Sequence, residues 1–344
     1  MPAAAWMLDR LEALCAADTT TGHEDRGLPA LEALLRELGA DVERLQVEPG
    51  RTNVWASWSA RPRLLFSTHL DTVPPYLPPT RSGDLLHGRG ACDAKGQVVA
   101  QLHAIRALLD RGVTDVAWLG VVGEETDSIG ARKALALQER CRDLCAVIDG
   151  EPTENVLATG QRGTLHLELR THGVPAHSGM PELGRSALWD LFDWLQRLRQ
   201  QPVRCDPELG PEIWNLGLMH GGAAPNVIAP EASAEVFVRT LPGCAFQDLA
   251  RRLAPDGAEV RLLGECEPDR YPALPGFAHC TVPFGSDAPR LRQLVPDRTV
   301  VLAGPGSITV AHTQDERITG AELDAGAALL LRVADALLAR AGHA

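Results

Sequence analysis

Residues 62–74 read PRLLFSTHLDTVP, an apolar run that leads directly into a histidine and an aspartate. The apolar part, residues 62–68, predicts a buried strand. The segments around it alternate between helical and strand-like patterns, with helices at 98–110 and 131–140 and strands at 115–122 and 144–149. This alternation predicts an α/β fold with a mainly parallel sheet that helices cover on both faces.

Outside this region the pattern changes twice. Two amphipathic helices, at 4–16 and 26–39, precede the first strand. The next segments predict a strand at 164–172, a helix at 186–201, strands at 214–220 and 232–241, a helix at 245–254 and a strand at 258–265. This β-α-β-β-α-β order is that of a ferredoxin-like unit. A strand-like run at 299–306 and a helix at 321–341 indicate a return to the first domain. We therefore predict a discontinuous domain of residues 1–162 and 269–344, with residues 163–268 inserted into it.

The composition limits the classes of partner. The 344 residues include 45 acidic and 33 basic ones, for a formal net charge of −12. A negative protein is a poor match for nucleic acids or anionic membranes, so neither is expected as a partner. The sequence has no apolar run of about 18 residues and no basic, apolar signal at its start. Its eight cysteines are scattered without a CxxC pair, which favours free thiols and a cytoplasmic protein.

Acids and histidines cluster at or just after the ends of predicted strands, or shortly before a predicted helix. The segments STHLDTVP (67–74), GRGACDAKG (88–96), VVGEETDS (121–128) and IDGEPT (148–153) each carry such residues. Ligands of α/β sheets bind at the carboxyl ends of the strands, so these side chains should converge at one edge. They are His69, Asp71, Asp93, Glu124, Glu125, Asp149 and Glu151.

So many carboxylates in one place repel each other unless cations lie between them. Imidazole and carboxylate ligands suit zinc, with cobalt or manganese as substitutes. Each motif alone is weak, because a His-x-Asp pair is often structural and a Glu-Glu pair is usually a solvated surface. The glycine-rich segment at 88–96 fits neither common phosphate-binding pattern. The ordered set of motifs is what is specific.

Taken in order, HLDTVP, GRGACDAKG, GEET, GEPT, HGVPAHSG, PNVIAP and AHTQDE resemble the M20 metallopeptidase family of two-zinc deacylases and carboxypeptidases. This family includes acetylornithine deacetylase, succinyl-diaminopimelate desuccinylase and aminoacylases. The similarity extends from about residue 65 to residue 320. It implies a zinc-hydrolase domain with an inserted second domain.

The resemblance also implies two metal ions and five ligands. His69, Asp93 and Glu151 would hold one zinc ion. Asp93, Glu125 and His312 would hold the other, so that Asp93 bridges the two ions.

Three further acids near these ligands receive separate roles. Glu124 matches the general base of the family, which takes a proton from the attacking water and passes it to the leaving amine. Asp71 would orient His69 through the ring nitrogen that does not bind the metal. Asp149 is the reserve ligand in place of Glu151, which is preferred because it begins the EPT triplet.

The resemblance places the substrate contacts outside the metal motifs. His177 would donate a hydrogen bond to the developing oxyanion, reaching the site of the other subunit of a homodimer formed through the inserted domain. Asn226 and Arg239 would grip the substrate, and arginine suits a carboxylate because its fork binds both oxygens. Gly285 and Ser286 belong to FGSD, a shortened copy of the substrate loop of the family.

The function that follows is hydrolysis of the amide bond in an N-acyl amino acid, with an acetylornithine deacetylase-like reaction first. A desuccinylase, dipeptidase or carboxypeptidase of the same family is the alternative, since all share the zinc site. A non-catalytic binding protein on this scaffold is less favoured, because neither Glu124 nor any ligand is missing.

Overall fold

The computed structural model describes residues 3–341 of the chain. The α-helices are α1 (Ala3–Cys15), α2 (Leu28–Glu37), α3 (Lys95–Asp110), α4 (Ile129–Ala134), α5 (Ala187–Arg199), α6 (Phe246–Arg252), α7 (Ala288–Leu291) and α8 (Gly320–Ala341). The strands are β1 (Asp41–Glu48), β2 (Arg51–Ser57), β3 (Leu64–His69), β4 (Thr80–Ser82), β5 (Leu85–His87), β6 (Val116–Val121), β7 (Ala146–Asp149), β8 (Leu157–Gln161), β9 (Gly163–His172), β10 (Cys205–Asp206), β11 (Gly210–Pro211), β12 (Ile213–Gly221), β13 (Glu231–Thr240), β14 (Glu259–Cys266), β15 (Asp269–Arg270), β16 (His279–Val282), β17 (Val300–Leu302) and β18 (Arg317–Thr319).

The chain divides into two compact units. The first runs to Thr159 and resumes over Arg270–Cys280 and from Ser286 onward. The second covers Gly160–Asp269 and Thr281–Gly285.

The central sheet of the first unit is mainly parallel in its middle. β6, β3, β7 and β17 lie side by side in this order, and each pair of neighbours is parallel. β2 extends the sheet antiparallel to β6, and β1 forms an antiparallel hairpin with β2. The α/β fold predicted from the sequence is confirmed.

The parallel strands are buried along their whole length. Every residue of β3, β6, β7 and β17 is buried, as expected for strands whose two faces are both covered. The helices α1, α3 and α8 pack against one another, and α3 also packs against β3. The apolar side chains of α3 recur at helical spacing, which explains both the helix and its burial.

The second unit has the predicted order β9-α5-β12-β13-α6-β14, with a short β10–β11 hairpin before β12. Its antiparallel sheet has the order β12-β13-β9-β14. β9 and β13 alternate buried and partly exposed residues, so one face of the sheet is buried. α5 packs on these two strands and contributes Leu191 and Trp194 to the core.

Some elements differ from the prediction. The β1–β2 hairpin was not predicted, because β1 (DVERLQVE) is polar and only partly buried. The helix predicted at 131–140 is shorter, since α4 ends at Ala134 and one 3₁₀ turn over Leu135–Leu137 follows. Among the helices within residues 3–341, none is long and apolar enough to cross a membrane.

Candidate metal centre

The register of the parallel strands brings the ends of three sequence motifs together. β3 lies between β6 and β7 in the sheet, and His69 pairs with Val121, the last residue of β6. Ser67 of β3 pairs with Asp149 at the end of β7. The segments that carry Glu124 and Glu151 therefore begin beside His69.

Asp93 lies between two imidazole rings. The His69 Nε2 atom is 2.9 Å from Asp93 Oδ1. His312, from the loop between β17 and β18, places its Nε2 atom 3.3 Å from Asp93 Oδ2 and 3.0 Å from Glu125 Oε1. The two oxygens of one carboxylate thus face different histidines, as a carboxylate that bridges two cations would.

Two overlapping groups of possible ligand atoms surround His69. His69, Asp93 and Glu125 form one group, and His69, Glu124 and Glu151 form the other. Within each group, the ligand atoms lie within 4.8 Å of one another. Asp149, the reserve ligand, belongs to neither group.

Asp71 holds the Glu124–Glu125 segment in place. Its buried carboxylate accepts backbone N–H bonds from Gly123 (3.0 Å), Glu124 (3.1 Å) and Glu125 (3.2 Å). The His69 Nδ1 atom lies 2.9 Å from the backbone carbonyl of Asp71 and 3.5 Å from its carboxylate. The backbone of Asp71 therefore orients the ring, while its side chain orients the neighbouring ligand segment.

Charge pairing shifts the pKa values of both histidines upward. Burial works against the protonated form of His69, but hydrogen bonds with Asp71 and Asp93 hold its pKa well above the ordinary value. Hydrogen bonds with Asp93 and Glu125 raise the pKa of His312 to about 10. The pKa of Asp93 is lowered despite its burial, because both histidines bond to it.

The remaining carboxyl groups show the opposite effect. Burial raises the pKa of Glu124 and of Glu151 well above the ordinary value, and nearby carboxylates add to the rise. The pKa of Glu125 is also raised, chiefly by burial. Taking acids out of water beside other acids is unfavourable unless positive charge compensates. A donor set of two imidazoles and several carboxylates fits divalent cations of the zinc type.

Sequence reasoning passed over two buried acids of this region. Glu316 is 1% exposed and bonds to the backbone of the Asp93 segment. Asp287 is 2% exposed, and burial raises its pKa to about 6. Glu316 belongs to the motif AHTQDE and Asp287 to FGSD. Their positions near His312 and Ser286 are the feature of the sequence that could have identified them as residues of the site.

The second unit carries His177, Asn226, Arg239 and Gly285, and the segments of the first two are neighbours. The backbone of His177 pairs with that of Val227, and the Ser178 N–H donates to the Asn226 carbonyl at 3.1 Å. His177 is exposed, and its Nδ1 atom accepts a hydrogen bond from the Gly179 N–H at 3.0 Å.

The other predicted substrate residues are Arg239, Gly285 and Ser286. Arg239 lies on β13, with its guanidinium carbon 5.0 Å from the centre of the Phe237 ring. The division between the units falls between Gly285 and Ser286, and Ser286 is buried.

The chain is similar to known proteins along most of its length. The model of peptidase family M20/M25/M40 matches residues 65–336. A Peptidase M20 domain-containing protein of Schizosaccharomyces pombe is 33% identical over 340 residues, which cover 95% of this chain and 83% of the relative. A probable carboxypeptidase of Aspergillus clavatus is 34% identical over 357 residues, covering 90% and 78% of the two chains.

Solved structures show the same fold at low identity. A tripeptidase from Staphylococcus aureus aligns with a TM-score of 0.78 at 20% identity, covering 97% of this chain and 98% of its own. An M20 family metallo-carboxypeptidase from Sulfolobus solfataricus aligns with a TM-score of 0.76 at 17% identity, covering 98% and 99%.

Proposed function

Because this chain belongs to peptidase family M20/M25/M40 and is a hydrolase of amide bonds, we propose that it is a two-zinc enzyme acting on an N-acyl amino acid. The observation that carries the proposal is the position of Asp93, whose two carboxylate oxygens face His69 and His312. In this proposal His69, Asp93 and Glu151 hold one zinc ion, and Asp93, Glu125 and His312 hold the second. Bound zinc supplies a Lewis acid that polarises the scissile carbonyl and acidifies the attacking water.

Glu124 is the proposed general base. It lies in the ligand group of His69 and Glu151 but has no place in the proposed coordination, so its carboxylate remains available for proton transfer. Its backbone is held by Asp71, which fixes the start of the side chain. Glu124 takes a proton from the attacking water and delivers it to the amine as the amide bond breaks.

The substrate contacts are assigned to the second unit. Arg239 binds the carboxylate of the amino acid through its two-pronged guanidinium group, and Asn226 binds the substrate beside it. His177 donates a hydrogen bond to the oxyanion that develops from the carbonyl. The adjacent backbones of the His177 and Asn226 segments support a shared role for these two residues.

A homodimer through the second unit is part of the proposal. β12 is an edge strand of the four-stranded sheet, and its Leu216, Leu218 and Met219 are exposed. On α5, Trp189 is 67% exposed and Phe192 43%. An apolar edge strand beside an apolar helix face is suited to pairing with its own copy across a two-fold axis. In such a dimer His177 serves the site of the partner.

The identity of the acyl group is the finer part of the proposal. Deacetylation of an N-acetyl amino acid, as by acetylornithine deacetylase, is the first candidate, and removal of a succinyl group is a variant. Cleavage of a C-terminal amino acid from a peptide is the second candidate, and the names of the relatives, probable carboxypeptidases, favour it. Both reactions release an amino acid with a free carboxylate, which Arg239 would bind.

A substrate panel tests the proposal. The zinc-loaded and cobalt-loaded enzymes are assayed with N-acetyl amino acids, N-succinyl amino acids, dipeptides with a free N-terminus and N-blocked dipeptides. Highest kcat/KM on N-acetyl amino acids supports the first candidate, and highest kcat/KM on N-blocked dipeptides supports carboxypeptidase activity. Failure to hydrolyse any of them, in a preparation with two ions per chain, would refute both.

Mixing two inactive variants tests the dimer. Glu124→Gln and His177→Ala are combined under conditions of subunit exchange, and mixed dimers are verified by mass. If His177 acts in the site of the partner, one site of each mixed dimer has both wild-type residues, and activity partly returns. No recovery in verified mixed dimers, or a strictly monomeric protein, contradicts the arrangement. The cytoplasmic location expected from the sequence stays a prediction.

A further inference from the structure

A second buried carboxylate holds the segment that presents Asp93. Glu316 lies just before β18 and is 1% exposed. Its Oε1 atom accepts backbone N–H bonds from Gly90 (2.9 Å), Cys92 (3.1 Å) and Asp93 (3.1 Å). One oxygen atom therefore accepts hydrogen bonds from three backbone amides of the loop that ends at Asp93.

Arg89 balances the charge of Glu316. The guanidinium Nη1 atom lies 2.5 Å from Glu316 Oε2, and the arginine is itself 1% exposed. Its Nε atom donates to the Pro75 carbonyl at 3.2 Å. Removing one member of a buried ion pair strongly destabilises a protein, because the other charge is left uncompensated.

Asp71 makes the same kind of contact with another segment, that of Glu124 and Glu125. Asp71 gathers the N–H groups of Gly123, Glu124 and Glu125, as Glu316 gathers those around Asp93. Glu316 also follows His312 by four residues, and its own carbonyl accepts the Gly88 N–H at 3.0 Å. It thus ties the chain segment of His312 to the chain segment of Asp93.

We propose that Glu316, paired with Arg89, is a positioning residue that sets the Asp93 carboxylate between His69 and His312. The inference rests on the proposed two-metal site, since Asp93 and His312 are both assigned to the second ion. If glutamine replaces Glu316, its one carbonyl oxygen can accept from either the three amides or Arg89, and its NH₂ group faces the other. Either orientation leaves buried donors without an acceptor, so the loop can shift the Asp93 oxygens away from both rings. The result is weaker metal binding, because residues that support ligands typically change metal affinity by about 10–100-fold.

The test compares Glu316→Gln with Glu32→Gln as a matched control. Glu32 is also a buried glutamate with arginine partners, Arg36 at 3.0 Å and Arg44, but it lies on α2 and bonds to no ligand segment. Zinc affinity is measured by competition with a chromophoric chelator, and the geometry of the site by the visible spectrum of the cobalt-loaded protein. We expect Glu316→Gln to weaken binding of at least one ion about 10–100-fold and to change the cobalt spectrum, while Glu32→Gln changes neither. Glu316→Asp, which keeps the charge, should restore part of the affinity.

Wild-type zinc affinity together with a wild-type cobalt spectrum in Glu316→Gln would overturn the proposal. If that variant does not fold, hydrogen exchange of the wild-type protein decides. The amides of Gly90, Cys92 and Asp93 should exchange slowly even in the metal-free protein, because Glu316 and not the metal holds them. Exchange at the rate of an unstructured peptide in the metal-free protein would refute the inference. A protein that binds two ions but cleaves no substrate refutes the proposed function and leaves this inference intact.

Discussion

Replacing Asp71 by asparagine tests whether one buried carboxylate holds the segment of Glu124 and Glu125 in place. Asp71 is completely buried, and its four hydrogen-bond donors are three consecutive backbone amides and the Thr21 hydroxyl, at 2.8 Å. Asp71→Asn keeps the shape of the side chain. It removes the negative charge and turns one acceptor oxygen into a donor.

The energetic effect can be worked out bond by bond. Oδ1 accepts from Gly123 and Glu124, so an asparagine oxygen in that position keeps both bonds. The new NH₂ group then faces the Glu125 N–H, which loses its acceptor, while the Thr21 hydroxyl can turn and accept instead. A buried donor without an acceptor costs about 1–3 kcal/mol, and the loss of charge from two further bonds costs about 1 kcal/mol each. We expect the free energy of unfolding to fall by about 3–5 kcal/mol.

The assay combines denaturant unfolding of the metal-free protein with zinc competition. Asp71→Asn should also lower zinc affinity by about 10–100-fold, because the Glu125 N–H loses its acceptor and the segment that carries this proposed ligand loses support. Asp18→Asn is the control. Asp18 accepts two hydrogen bonds from Thr20 and lies near Arg26, but it bonds to no ligand segment. That variant should lose some stability and keep wild-type zinc affinity.

Two results would contradict the reasoning. If Asp71→Asn unfolds at the same denaturant concentration as the wild-type protein, the carboxylate does not stabilise the loop. If it loses stability but binds zinc as the wild-type protein does, the loop is held by Asp71 without any consequence for the ligands.

The remaining predictions concern the metals and the base. Glu124→Gln should keep both ions and lose about 10²–10⁴-fold in kcat, because coordination stays intact while proton transfer is removed; unimpaired turnover would place the base elsewhere. Dialysis against a chelator should abolish activity, and zinc or cobalt should restore it at two ions per chain by elemental analysis, whereas full activity of a metal-free preparation rules out the two-zinc proposal. Zinc affinity should rise with pH, because the pKa of His312 is raised to about 10 and its imidazole carries a proton below that pH which must leave before it can bind a cation. Calorimetry in buffers of different ionisation enthalpy measures this proton release, and binding without it contradicts the assignment of His312.

The sequence could predict that the proposed metal motifs meet at one edge of the sheet, because this depends only on the order of the strands. Parallel strands end at the same edge, so residues just after strands separated by many positions must meet there. His69 pairs with Val121 in the structure, which places Glu124 and Glu125 beside it. No knowledge of side-chain geometry was needed for this step.

Glu316 and Arg89 could not be found in this way. Glu316 bonds to Arg89 and Gly90, which are 227 and 226 positions away in the chain, and no local pattern encodes such contacts. Arginine and glutamate are also usually exposed, so the ordinary expectation for both was a solvated surface. The β1–β2 hairpin was missed for a related reason, since its outer strand is too polar to show a buried pattern.

The carboxyl groups and histidines around Asp93 carry charges that a bound cation would balance. Burial raises the pKa of Glu124, Glu125 and Glu151 even though His69 favours the ionised form of all three and His312 that of Glu125. Protonated imidazoles therefore compensate the carboxylates only in part. A divalent cation carries twice the charge of an imidazolium, and an imidazolium must lose its proton before the ring can bind a metal. Two divalent ions would therefore stabilise the ionised carboxylates while the histidine rings bind as neutral ligands. The cluster is suited to exchanging protons for metal ions, and an ionised Glu124 is the state in which it can accept a proton from water.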